Sequence, residues 1–212
     1  MTSVLFLLAS CSEGDRLVEL PEPVPDGGMS VEEAIEARRS VREYSGGTVT
    51  LEELSRLLQS AQGITSYRGL RAAPSAGATY PFTIFVVTGN VEDLPAGIYS
   101  YDPEGGSLEM KAAGFYLDEL ASASLGQQCI ASAALTVVMA ADYSVTTSVY
   151  GERGIMYVHM EAGHISQNIY LQATAMGLGT VAVGAFDEAE VRELLELEQG
   201  LTPLYLMPVG RT

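Results

Sequence analysis

Three of the chain's eleven basic residues, Arg38, Arg39 and Arg42, fall inside five consecutive positions of a sequence whose formal charge is −16. A guanidinium stays charged at any physiological pH and donates in a planar fork that matches phosphate oxygens. Concentrating that chemistry in an acidic chain points to a bound anion. The plainer reading is a solvated helix end, where cations complement the helix dipole. Other constellations fail on spacing or context. "GLGTVAVG" (177–184) leaves a helix and enters a strand, the reverse of a dinucleotide-binding turn. His159 and His164 stand five apart without HExxH and read as packed or hydrogen-bonded helix residues. Ser75, in "APSAG", lacks the first glycine of a nucleophile elbow. Cys11 and Cys129 are too few for a disulfide framework or a zinc cluster, and Cys129 reads as a small core residue.

The elements that must position these residues begin near residue 29. Ser30 and Glu33 form a capping box for a helix over "VEEAIEARR", and Thr50 with Glu53 caps a second, "LEELSRLLQSAQG", whose Leu51, Leu54, Leu58 and Ala61 make one stripe. "RAAPSAGATYP" (71–81) is a proline-bracketed loop. "FTIFVVT" (82–88) and "ALTVVMAAD" (134–142) read as buried strands, and "GIYSYD" and "SLEMKA" as a hairpin around "PEGG". A short helix is expected around "FYLDELASAS". Residues 154–177 carry the longest helix, with Ile155, Val158, Ala162, Ile165, Ile169, Ala173 and Met176 at helical spacing. Met160, Leu171 and Ala175 on its other side imply a helix covered nearly all round. "LGTVAVGAF" is a strand into a glycine turn, Asp187 and Glu190 cap a last helix, and "PLYLMPVGR" is a closing strand. Helices and strands mix without regular βαβ alternation, which supports the α+β class.

With 212 residues and 47% apolar content, the chain can bury a core without staples. Its charge argues against a nucleic-acid surface, which would need a basic face. Residues 1–28 read as a separate segment. "SVLFLLASC" resembles a bacterial lipobox ending at Cys11, the site of lipidation in such proteins, and the Pro/Gly-rich run after it reads as a tether, which would place the protein on the cell envelope. A buried first strand or helix, or a start codon placed too late, is the competing reading, since a basic n-region is missing.

Taken in order, "RRSVREY", "APSAGATYP", "GIYSYDP", "EAGHISQNIYLQATAMGLGT", "VGAF" and "PVGR" resemble the nitroreductase family, on the side of its SagB-type dehydrogenases, over residues 29–211. The resemblance implies a nitroreductase-like α+β domain over 29–212: a mixed or antiparallel central sheet flanked by helices, a long buried central helix, and FMN at a homodimer interface. It implies hydride transfer from NAD(P)H through flavin N5 to an electron-poor acceptor such as a nitroaromatic or quinone, in ping-pong order. By similarity, Arg38 and Ser40 hold phosphate or ribityl oxygens with Arg39 adjoining, and Gly210 and Arg211 complete the phosphate site. Arg42 faces the N1/O2 edge, where a cation favours the reduced, anionic ring. Pro74, Ser75, Ala76 and Gly77 line the flavin from the partner subunit, their small side chains letting backbone approach the ring. Gly184 and Ala185 present a backbone N–H to N5. Gln128, or equally Gln127, reaches the pyrimidine edge. No metal is implied.

One stretch departs from the branch. SagB-type enzymes that oxidise azolines carry a Lys-Tyr pair just before the long helix, and "SVYGERG" has Val149 at the lysine's place while keeping Tyr150. Azoline oxidation removes a ring proton as hydride leaves, so it needs a base, and valine is none. Azoline dehydrogenation is therefore the lesser reading, beside a non-catalytic flavin-binding envelope lipoprotein. Tyr150 remains as a proton donor or a packing ring.

Overall fold

β-Branched and aromatic residues build the two central strands, Phe82–Thr88 (β2) and Leu135–Asp142 (β5), whose antiparallel register sets Val86 opposite Val137. The computed structural model describes residues 17–23 and 28–212. Around β2 and β5 it adds Leu17–Glu19 (β1), Gly97–Asp102 (β3), Ser107–Ala113 (β4), Leu178–Thr180 (β6) and Leu201–Arg211 (β7), in the order β1-β4-β3-β2-β5-β7-β6. Every pairing between named strands is antiparallel, which decides between the mixed and antiparallel expectations.

Seven helices flank the sheet: Val31–Ala37 (α1), Leu51–Gln62 (α2), Leu117–Ala123 (α3), Gln128–Ala131 (α4), Tyr143–Tyr150 (α5), Arg153–Ala175 (α6) and Glu188–Leu194 (α7) among the described residues. Because side chains alternate along a strand, each central strand feeds two cores. Ile84, Val86, Val137 and Met139 pack with Leu54 and Leu58 of α2 and Val158, Ile165 and Ile169 of α6. Phe85, Val87, Val138 and Ala140 pack on the opposite side with Leu120, Ile130 and Val191 of α3, α4 and α7. Coverage of both faces is why these strands read as unbroken apolar runs although the sheet is antiparallel. Both capping boxes form: Ser30 Oγ accepts from Glu33 N and Thr50 Oγ1 from Glu53 N, with each glutamate returning to its cap's N–H.

Three features differ from the sequence expectations. Leu17–Glu19, inside the segment read as a tether, pairs with β4 as an edge strand. The stretch before the long helix forms α5, despite β-branched residues that disfavour helix, because Asp142 caps it through Ser144 N at 2.8 Å. The long helix is also not covered all round: Val158, Ala162, Ile165, Ile169 and Ala173 are buried, but Ile155, Met156 and Met160 are 45%, 43% and 49% exposed. The first turns of α6 turn only one side to α5 and the core, and among the described residues nothing fully covers the other. Cys11 and its apolar run lie outside the described residues. Among those described, no helix is long and apolar enough to cross a membrane.

Candidate active site

The arginine strip is not helical. α1 stops at Ala37, and Arg38 takes φ −52°, ψ 127°, at which the chain leaves the helix. Ser40 then bridges in parallel to Thr180, and Val41 N donates to Thr180 O at 2.9 Å. The strip is thereby stitched to the segment that leads from β6 into Gly184 and Ala185. Tyr170 of α6 fastens the two together: its hydroxyl lies 3.0 Å from Ser40 Oγ and accepts from Ala182 N at 2.8 Å. Since that hydroxyl accepts from the amide, its own proton is available to Ser40. The Arg38 guanidinium lies over the Tyr170 ring, 5.1 Å from its centroid. Nothing in the sequence reading singled out Tyr170; its role depends on a partner 130 residues away.

The three arginines separate in space. Arg39 turns back, its NH1 donating to the carbonyls of Glu36 and Arg38 at 2.8 and 2.7 Å, and so caps its own helix. Arg42 stands near α4: its charge acts on the buried Cys129 thiol, which burial pushes up and Arg42 draws back down. It acts likewise on Tyr44, a phenol raised chiefly by burial. Among the described residues no carboxylate pairs with Arg38, Arg39 or Arg42. Arg211 is different. It is bidentate to Glu53 at 2.7 Å on both nitrogens, with Nε donating to Thr48 O at 3.0 Å. Each terminal nitrogen keeps a further N–H for a ligand, but the Glu53 carboxylate already opposes its charge. Gly210 has a packing reason to be glycine: a Cβ there would lie 2.6 Å from Tyr44 Cγ.

At the other end of the strip, Gln127 rather than Gln128 meets the glycine turn. Gln127 Nε2 donates to Ala185 O at 2.9 Å, whereas Gln128 is exposed and reaches only Gly126 O at 3.4 Å. Gly184 and Ala185 are exposed backbone beside it.

Pro74, Ser75, Ala76 and Gly77 form a separate patch. Ala76–Ala78 make a short 3-10 turn, with Gly77 at φ 60°. A Cβ on Gly77 would lie 2.5 Å from the Tyr150 hydroxyl, so the end of α5 touches the loop directly. Tyr150 also meets Tyr157 edge-on at 5.1 Å, and Thr79 Oγ1 lies 2.9 Å from Thr146 Oγ1. Val149 is 62% exposed. Beside the loop lies a shallow cavity of about 250 Å³ lined by Pro74, Ser75, Ala76, Tyr157, Met160, Glu161 and His164. His164 Nδ1 is 3.0 Å from Pro74 O; a carbonyl only accepts, so Nδ1 carries the proton. His159 bonds Tyr143 OH at 2.7 Å, so both histidines are hydrogen-bonded helix residues. The cavity adjoins the uncovered side of α6, since Met160 belongs to both.

Comparison with known proteins gives concordant matches. The sequence model described as "Nitroreductase family" matches residues 35–211. A provisionally named nitroreductase of Methanocaldococcus jannaschii is 49% identical over 183 residues, covering 86% of this chain and 91% of its own. Among solved structures, a provisionally named nitroreductase of Ralstonia eutropha superposes with TM-score 0.82 at 27% identity, covering 95% of this chain and 92% of that one. The NADPH:FMN oxidoreductase of Vibrio harveyi, complexed with NAD+, superposes with TM-score 0.61 at 25% identity, covering 85% of this chain and 68% of that one.

Proposed function

The chain belongs to the nitroreductase family and is an oxidoreductase, and from that premise we propose that it is a homodimeric, FMN-dependent NAD(P)H oxidoreductase acting on an electron-poor small acceptor. The observation that carries the reading is the strip of Arg38, Ser40 and Arg42, joined to Thr180 through Ser40 and Val41, with no carboxylate among the described residues paired with its arginines. That donor set suits a phosphorylated, flat, electron-accepting ligand. Arg38 and Ser40 would take its phosphate or ribityl oxygens, with Arg211 contributing its remaining N–H groups. Arg42 would supply positive charge near the ring, and Gly184–Ala185 would offer backbone N–H groups free of side-chain obstruction. FMN held there would supply the hydride-transfer chemistry between NAD(P)H and the acceptor.

The chain's own groups would orient the cofactor and acceptor, in keeping with a reaction whose hard chemistry lies in the cofactor. Tyr150, against Gly77, is positioned to hydrogen-bond a group resting on the loop. Two patches support the dimer. The arginine strip and the Pro74–Gly77 loop are separate, and the loop borders an exposed apolar face of Val145, Val149, Ile155, Met156 and Met160. A second copy would cover that face, and the family resemblance then implies that each loop lines the flavin held by the other protomer's strip. The exposed valine at 149 supplies no base, which disfavours azoline dehydrogenation.

The test is an absorption spectrum of the full chain, followed by anaerobic addition of NADH or NADPH. A flavin spectrum that bleaches identifies the enzyme and its donor. A colourless protein that also fails to bind added FMN overturns the proposal.

A further inference from the structure

Just ahead of β2, three of four consecutive residues sit in the left-handed region: Gly77 at φ 60°, Ala78 at 54° and Tyr80 at 49°. Glycine takes this conformation freely, but an L side chain brings its Cβ against the following carbonyl. Tyr80 is doubly disfavoured, because it precedes Pro81, whose ring biases the residue before it toward extended backbone with negative φ. Residues in such conformations persist only where their surroundings over-determine them, and they gather at ligand-binding loops. Here the surroundings converge on Arg71. Its backbone N donates to the Tyr80 hydroxyl at 3.1 Å, and its guanidinium lies 4.7 Å from the Tyr80 ring centroid. Arg71 is itself anchored twice. Its backbone bridges antiparallel to Ile64, and Ala72 N donates to Gly63 O at 2.9 Å, which ties this segment to the end of α2. Its NH1 donates to Gln62 Oε1 at 2.9 Å, and Gln62 is only 1% exposed.

Held this way, Tyr80 turns its N–H onto Ser75 Oγ at 3.0 Å. Ala78 N donates to Ser75 O at 3.1 Å, and Thr79 N to Ala76 O at 3.2 Å. The left-handed stretch thus folds back onto the Pro74–Gly77 loop through three backbone donors. We propose that Arg71 is a positioning residue: stacked on Tyr80, it locks that residue's left-handed backbone, and the lock fixes the Pro74–Gly77 loop in the shape that lines the flavin. The purpose of the lock rests on the function proposed above; its existence does not. A guanidinium suits the task because its plane can lie on an aromatic face while its edge still bonds Gln62, which a compact ammonium matches poorly. Without the stack, the steric preference for negative φ at Tyr80 is less opposed. A return to negative φ would swing the Tyr80 N–H off Ser75 and free the loop.

The experiment is amide hydrogen exchange at residues 78–80 of the full chain without FMN, beside fluorescence titration with FMN. Wild type, Arg71→Ala, Tyr80→Leu and the double variant are compared. Arg71→Ala should lower protection of these amides about tenfold and raise the FMN Kd by a similar factor. Tyr80→Leu, which removes ring and hydroxyl, should give a similar loss, and the double variant no further one, because both cut the same link. Ala78→Gly, which takes φ 54° without strain, should restore part of both quantities in the Arg71→Ala background. A glycine adds no contact, so a loss due to packing alone would not be restored. Unchanged protection in Arg71→Ala, additive losses in the double variant, or no rescue by Ala78→Gly overturns the lock. If Arg71→Ala does not fold, Arg71→Lys, which keeps the charge but not the planar stack, takes its place in the same cycle and is read the same way. Protection lost with an unchanged FMN Kd overturns the positioning role. A wild type that binds no FMN but shows the coupled, rescued losses sinks the flavin reading and leaves the lock standing.

Discussion

Charge and stacking at single residues set how much each arginine can offer a phosphate. Arg38 faces the Tyr170 ring with no carboxylate in reach among the described residues, while Arg211 already shares Glu53 in a bidentate pair and Arg39 caps its own helix. Removing a charged hydrogen-bond partner costs about 1.5–3 kcal/mol, or roughly tenfold or more in affinity. Arg38→Ala should therefore raise the FMN Kd about tenfold or more, Arg211→Ala by a smaller factor, and Arg39→Ala hardly at all. Fluorescence titration of each variant ranks them. An Arg39→Ala loss as large as that of Arg38→Ala would remove the separation of roles drawn from the geometry.

Among the elements, α2 shows one carboxylate serving two purposes. Glu53 Oε2 accepts Thr50 N at 2.9 Å in the capping box, and the same carboxylate receives Arg211 from the end of β7. Thr50→Ala should lower unfolding free energy by about 1 kcal/mol, the usual cost of an N-cap. Glu53→Ala should cost more, because it strips the reciprocal cap bond and also unpairs a half-buried arginine. Urea unfolding of both variants measures the difference; equal losses would show that the Arg211 pair adds nothing measurable, as many exposed pairs do not. The caps were legible in the sequence because both partners lie three residues apart. The Arg211 link was not, because it spans 158 residues and depends on where β7 ends.

For the whole molecule, the uncovered side of α6 and α5 is the feature to explain. Five apolar side chains there, Val145, Val149, Ile155, Met156 and Met160, are between 37% and 62% exposed. Placing charge on that surface, with Ile155→Glu and Met156→Glu together, should yield a monomer by sedimentation and should release FMN, although neither residue belongs to the arginine strip or the loop. A wild type that is monomeric and retains FMN would show that one protomer suffices and would remove the shared-site arrangement.

Fold class, strand runs, both caps and the order of the family's motifs were all present in the sequence, because each is encoded by neighbours a few positions apart. Period and capping chemistry are local, so Phe82–Thr88 and the Thr50–Glu53 pair needed no tertiary information. What only the tertiary structure decided is which side chains meet. Ser40 finds Tyr170 across 130 residues and Gln62 finds Glu161 across 99, and Arg39 parts from Arg38 because the chain leaves the helix between them. Helical spacing placed Ile155 on the same stripe as Val158, yet one is exposed and the other buried. A periodic pattern marks which residues avoid water; whether the covering surface belongs to the same chain or to another copy is settled by packing alone.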